Sequence, residues 1–116
     1  MKKIILFLMF AMLVACEKEG EKDFSVVGKK FAYCPETVKV DGEYVYYVYL
    51  FINSTTVEDQ VRIGSPTGRL MVDIKSHHYD LNYPSLTIDD EGVILSYTFI
   101  TNDIFRRGDA DYNIVR

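Results

Sequence analysis

The chain has 116 residues, a length at which a single hydrophobic core and therefore a single domain is expected. Its 17 acidic and 13 basic side chains give a formal net charge of −4 at pH 7. Because nucleic acid binding requires a basic surface, this acidic balance argues against nucleic acid as a partner.

Residues 1–15 have the features of a secretion signal. A positively charged start, Lys2-Lys3, precedes an unbroken apolar run over residues 4–14 that is shorter than the roughly 20 residues needed to span a bilayer. The sequence Leu13-Val14-Ala15-Cys16 resembles the lipobox, at which a signal peptidase cuts before a lipid-modified cysteine. The resemblance implies that Cys16 becomes the lipidated first residue of the mature protein and anchors it to a membrane.

Residues 16–23 are predicted to form a flexible tether. Residues 17–23 are charged apart from Gly20 and have no apolar side chain whose burial could offset the entropy of ordering them. Cys16-Glu17-Lys18-Glu19 resembles in part the surface-export signal of Bacteroidota lipoproteins. The resemblance implies an outer membrane lipoprotein and leaves open whether it faces the periplasm or the cell surface.

Residues 24–116 are predicted to be the folded domain, because short β-rich runs alternate with turn residues and no run has apolar residues at helical spacing. Asp41-Gly42 is a typical hairpin turn, residues 64–68 read as a loop, and Pro84 ends or bends a strand. In chain order the predicted strands are 26–33, 37–40, 43–52, 57–63, 69–83, 85–88, 93–100, 104–107 and 112–115. The pattern predicts an all-β fold, a small antiparallel meander barrel of about eight strands, with a β-sandwich as the alternative.

The predicted strand over residues 43–52 is apolar on both faces. One face must belong to the core, so the other needs an explanation. Two interpretations are open: a second layer supplied by the N-terminal segment or a loop, or a patch that binds a ligand or partner, since tyrosine combines a large apolar area with a hydroxyl group. The residues predicted for such a patch are Tyr44, Tyr46, Tyr47, Tyr49 and Phe51.

The sequence has no motif typical of catalysis. His77 and His78 are adjacent, so on a strand they point to opposite faces and cannot bind one metal ion together; a solvated pair is expected. His78 and Asp80 share a face, but a third metal ligand is not evident. Serine-nucleophile motifs and glycine-rich phosphate loops are absent. We therefore predict no catalytic residues, no metal site, no cofactor and no enzymatic activity.

Cys34 is the second of the two cysteines in the chain. If Cys16 carries lipid, Cys34 has no partner for a disulfide within the chain. Because it ends an apolar stretch, Cys34 is expected to be a buried, small apolar side chain.

From Gly28 to Val115 the chain resembles the small lipoproteins of Bacteroidota that have a compact, lipocalin-like β-barrel. The segments that carry the resemblance are Gly28-Lys29-Lys30-Phe31, residues 79–88, residues 97–100 with Asn102-Asp103, and residues 112–115. It implies a fold and a location rather than an activity. The chain lacks the Gly-x-Trp opening of the larger lipocalins, having no tryptophan. At this length the barrel interior is expected to be filled by side chains.

The expected function is that of a membrane-anchored, non-catalytic binding module. Its partner could be a protein, a glycan or a small apolar ligand, recognised by the tyrosine-rich strand and neighbouring loops. The alternative is an inhibitor of a secreted hydrolase such as lysozyme, since small lysozyme-inhibitor lipoproteins have a similar size and fold.

Overall fold

A computed structural model gives the architecture of residues 24–116. These residues form ten strands and no helix, so the described part of the chain has no helix long and apolar enough to cross a membrane. The signal peptide, the lipidated Cys16 and the tether predicted above lie outside the described residues. The strands are β1 (Lys30–Tyr33), β2 (Lys39–Val40), β3 (Glu43–Phe51), β4 (Thr56–Ile63), β5 (Arg69–Leu70), β6 (Lys75–Asn82), β7 (Ser85–Asp90), β8 (Val93–Thr101), β9 (Ile104–Arg107) and β10 (Ala110–Val115).

Eight antiparallel strands close into a barrel. Around the wall the order is β3, β1, β10, β9, β8, β7, β6 and β4, and β4 pairs with β3 to complete the ring. The two short strands extend this wall: β2 pairs with the start of β3, and β5 pairs with the end of β4. The predicted all-β meander barrel of about eight strands is therefore confirmed, and the alternative β-sandwich is not adopted.

Turn chemistry and register follow from local sequence in the first hairpin. Asp41 and Gly42 connect β2 to β3 with φ angles of 52° and 82°, the left-handed geometry that a two-residue turn between twisted strands requires. The next hairpin pairs Tyr49 with Asp59 and Phe51 with Val57. Because successive side chains of a strand point to opposite faces, this register directs Tyr49 and Phe51 into the barrel.

The barrel interior is filled by aromatic rings. At its centre, the ring of Phe105 lies 4.9 Å from that of Phe31, 5.3 Å from Tyr97 and 5.0 Å from Tyr112, all measured between centroids. Burial of one large apolar side chain contributes about 1.5–3 kcal/mol, and each aromatic pair about 0.5–1.5 kcal/mol more. The packed interior agrees with the expectation from chain length.

The N-terminal residues of the described chain close one end of the barrel. The ring of Phe24 lies 4.6 Å from Tyr83 and 5.2 Å from Phe99, and Val26 is fully buried. This end, which also carries the β6–β7 and β8–β9 turns, is called the tether end, because the predicted tether joins the barrel at Phe24. The opposite end carries the β7–β8 and β9–β10 turns and is called the distal end.

Two predicted strands differ from the structure by more than two residues at an end. The strand predicted over residues 26–33 begins only at Lys30, because the amide of Lys29 donates to the Val26 carbonyl (2.8 Å) and Gly28 has a φ of 81°, which makes residues 26–29 a turn. The run predicted over residues 69–83 is divided into β5 and β6, because both pair with β4 and residues 71–74 interrupt the pairing.

Candidate functional site

The five residues predicted for a binding patch do not share one surface. Tyr44 and Tyr46 point to the outside of the barrel, whereas Tyr47, Tyr49 and Phe51 point inward. Phe51 is 0% exposed and Tyr49 is 6% exposed, so both are core residues and the prediction that they form an accessible patch is wrong. Tyr44 and Tyr47 are each 36% exposed, and Tyr47 lies near the distal end. Tyr44, Tyr46 and Tyr47 are therefore the accessible part of the prediction, and of these Tyr44 and Tyr46 share the outer face.

Tyr44 and Tyr46 line a groove of about 640 Å³ on the outer face of β1, β3 and β10. This volume lies within the range of about 300–1,000 Å³ that is usual for ligand pockets. We call it the tyrosine groove. The polar and aromatic side chains that line it include Cys34, Glu36, Tyr44, Tyr46, Asp109 and Asp111.

The groove exists because the chain leaves the barrel wall between β1 and β2. Both strands pair with the same edge of β3: Tyr33 of β1 lies opposite Tyr47, and Lys39 of β2 lies opposite Tyr44. The five residues 34–38 between them form a loop, in which Pro35 has no amide hydrogen to donate and Glu36 has a φ of 62°. On this edge of β3, the stretch that carries Tyr46 therefore lies beside a loop and not beside a paired strand.

The ionisable carboxylates that line the groove are Glu36, Asp109 and Asp111, and its lining includes no lysine or arginine. Arg106, on the neighbouring strand β9, donates two hydrogen bonds to Asp111, from Nε to Oδ1 (2.6 Å) and from Nη2 to Oδ2 (3.2 Å). These bonds lower the pKa of the Asp111 carboxyl. Asp111 is therefore ionised and held in place, facing the groove.

The aromatic side of the groove also carries polar atoms. Partial burial, with Cys34 and Glu36 close by, raises the pKa of the Tyr46 hydroxyl, so this group remains a neutral hydrogen-bond donor at pH 7. The Nζ atom of Lys39 lies 4.7 Å from the ring centroid of Tyr44, a cation–π contact. The groove thus combines the phenol rings of Tyr33, Tyr44 and Tyr46 with carboxylates.

Cys34 lies at the edge of the groove and is half-buried, so the prediction of a fully buried side chain is wrong. Its thiol is free among the described residues. The reason for the difference is the departure of the chain from the barrel wall directly after Tyr33, which leaves Cys34 without a covering strand. The sequence signal for this departure is Pro35.

A second group of polar side chains lies inside the distal half of the barrel. The hydroxyl groups of Tyr49 and Tyr97 share a hydrogen bond of 2.8 Å, and burial raises the pKa of Tyr49, Tyr97 and Tyr112. A raised pKa keeps a phenol neutral, so none of the three is available as an ionised base near pH 7. These hydroxyls form a structural network rather than reactive groups.

His77 belongs to the same interior, and its place corrects the prediction of a solvated histidine pair. Its Nε2 atom lies 3.3 Å from Asp59 and 3.9 Å from Asp90, and its side chain is almost fully buried. His78 points outward, 3.9 Å from Asp80, with 58% of its side chain exposed. Strand alternation correctly separates the two histidines but cannot tell which one enters the barrel. Among residues 24–116, no three His, Cys, Asp or Glu side chains are grouped so as to hold a metal ion.

No family model, curated protein or solved structure matches this chain.

Proposed function

We propose that the protein is a lipoprotein, anchored in the outer membrane through lipid on Cys16, whose barrel is a non-catalytic module that binds a partner in the tyrosine groove. The observation that carries the proposal is the groove itself, an open site of about 640 Å³ whose lining includes three tyrosines, a thiol and three carboxylates. The anchor rests on the lipobox resemblance of residues 13–16.

The position of the groove supports this proposal. Its lining residues Glu36, Pro66 and Asp109 belong to the loops after β1, β4 and β9, which all lie at the distal end. The predicted tether joins the barrel at Phe24, at the tether end. The groove therefore begins at the distal end, away from the predicted tether, and continues along β10 as far as Val115.

The packing of the interior also favours an outside site. Barrels of the lipocalin type hold small ligands inside, at the mouth or in a central cavity. Here the centre is occupied by rings in contact, such as Phe105 and Tyr112 at 5.0 Å. A ligand would have to displace this core to enter, whereas the groove requires no such displacement.

Mass spectrometry tests the anchor. Protein purified from the cells that make it should begin at Cys16 and carry the mass of diacylglycerol and further acyl chains. If residues 1–15 are still present, or if the thiol at position 16 is unmodified, the proposed lipid anchor is wrong. Binding in the groove does not depend on that result.

A capture experiment tests the binding module. The full chain in neutral detergent serves as bait for extracts of the outer membrane and of secreted proteins, beside a variant with Tyr44→Ser and Tyr46→Ser and a control variant with Ile94→Ser. Ile94 is 58% exposed on β8, the wall opposite β3. We expect the partner to be lost only with the double tyrosine variant. Equal capture of the partner by all three proteins would refute the groove as the binding site. If the captured partner is a hydrolase that loses its activity when bound, and capture depends on the two tyrosines, the alternative function as a hydrolase inhibitor is favoured.

A further inference from the structure

We infer that the tyrosine groove binds a basic segment of a partner protein, with a lysine or arginine side chain placed between Glu36 and Tyr46. This inference rests on the proposed function and names the chemistry of the partner. It is argued from the charges of the groove and from the way in which two basic side chains of this chain already lie against it.

The charges of the groove favour a cation. The three ionisable carboxylates of the groove face a lining without lysine or arginine, so a cation entering it meets no positive neighbour in the lining. Asp111 is already paired with Arg106. Within residues 24–116, Glu36 makes no ion pair, and it is exposed. Asp109 is likewise exposed and makes no ion pair within the same residues, so Glu36 and Asp109 are the two carboxylates available to a guest.

Cations of the chain itself already lie at both sides of the groove. On the β10 side, the guanidinium of Arg106 makes a two-pronged contact with Asp111, at 2.6 and 3.2 Å. On the β3 side, the ammonium of Lys39 lies over the ring of Tyr44 at 4.7 Å. These contacts are the two common ways in which proteins recognise arginine and lysine side chains.

A carboxylate and a phenol are also offered to the same guest between these two contacts. Glu36 and Tyr46 both line the groove, and neither is covered by a neighbouring strand on that side. A guest ammonium or guanidinium would donate to Glu36 and place its alkyl stem along the ring of Tyr46. A neutral glycan would use the rings and the hydroxyl but would gain nothing from the charge of Glu36.

The test measures fluorescence anisotropy of a dye-labelled hexa-arginine peptide with the full chain in neutral detergent. Glu36→Gln should weaken binding by roughly 2- to 5-fold, because one exposed, partly screened ion pair is lost. Asp80→Asn removes the same charge from an exposed site on β6 and should leave binding unchanged. Raising the salt concentration from 0.05 to 0.5 M should weaken binding to the unmodified chain as the charges become screened.

A variant that should strengthen binding separates recognition in the groove from non-specific attraction between the acidic protein and the basic peptide. Lys39→Gln removes the internal cation from the ring of Tyr44 and should tighten hexa-arginine binding by about 2- to 5-fold. Lys75→Gln removes an equal charge from β6 and serves as its control, with no comparable change expected. Loss of the β-sheet signal in the circular dichroism spectrum would identify a variant that misfolds. Because Glu36 and Lys39 are both exposed, we expect both variants to fold.

The outcomes distinguish this inference from the proposed function. Equal binding of hexa-arginine to the Glu36→Gln and Asp80→Asn variants would overturn the basic-segment inference, since attraction would then be unspecific. The basic-segment inference would also be overturned if hexa-arginine did not bind and a neutral oligosaccharide, chitohexaose, bound in a way that depends on Tyr46. In that case the groove would remain a binding site. If the capture experiment shows no dependence on Tyr44 and Tyr46, the proposed function fails, and the inference fails with it.

Discussion

Replacement of Phe51 by alanine tests whether the tyrosine-rich strand β3 faces the core or a ligand. Phe51 is fully buried, and its ring lies 4.8 Å from Tyr79, 5.9 Å from Phe31 and 6.3 Å from Phe105. Deleting a buried phenylalanine ring costs about 3–5 kcal/mol, from lost transfer free energy and the cavity left behind. Because a domain of this size typically has 5–15 kcal/mol of stability, this is a large fraction of the free energy of unfolding.

The matched control is Tyr44→Ala on the same strand. Tyr44 is 36% exposed, and its ring contacts Lys39, so its loss should lower the free energy of unfolding by less than about 1 kcal/mol. Thermal unfolding of the full chain in neutral detergent, followed by circular dichroism, measures both. At about 4–8 °C per kcal/mol, Phe51→Ala should lower Tm by at least about 12 °C. A similar, small shift for both variants would show that Phe51 is not in the core, and the described packing would be refuted.

Three further predictions concern the interior. Tyr49→Phe removes one hydroxyl from the 2.8 Å bond with Tyr97 and should cost about 1–2 kcal/mol in urea unfolding, whereas an unchanged midpoint would mean that the bond does not form. Burial raises the pKa of Tyr49, Tyr97 and Tyr112 above the ordinary value of 10.0, so the neutral phenols contribute stability that is complete below pH 10 and lost as the pH rises above it. Tm should fall between pH 10 and 12, and the absorbance at 295 nm should show these three tyrosines ionising only when the protein unfolds. Ionisation of all three in the folded state would contradict their burial. His77→Ala should cost about 1–3 kcal/mol because it removes a buried hydrogen bond, and His78→Ala less than about 0.5 kcal/mol; equal losses would mean that the two side chains are not divided between inside and outside.

The fold could be predicted from local patterns because the strands are separated by clear turn residues. Asp41-Gly42 forms the expected two-residue turn, and the runs after it pair in chain order. The face of β3 that enters the barrel could not be predicted, because both faces are apolar and the choice depends on closure between β1 and β10. That closure joins residues as distant as Lys30 and Val115. The same limit applies to His77, whose burial depends on Asp59 and Asp90 on two other strands.

The site was predicted only in part for a similar reason. Tyr44 and Tyr46 could be named only together with residues of the other face, because a strand with aromatic side chains on both faces does not show which face is outward. Glu36, Asp109 and Asp111 were missed, because they come from the loop after β1 and from the start of β10, which meet only when the barrel closes. Pro35 was the one local indication that the wall is interrupted there.

Photo-cross-linking in living cells tests the central claim, that a partner occupies the outer groove, most directly. A benzophenone amino acid is placed at position 46 in the groove or at position 94 on the opposite wall, and the cells are irradiated before lysis. The account predicts a discrete adduct from position 46, reduced by Glu36→Gln, and none from position 94. An adduct from position 94 alone, or equal adducts from both positions, would contradict it.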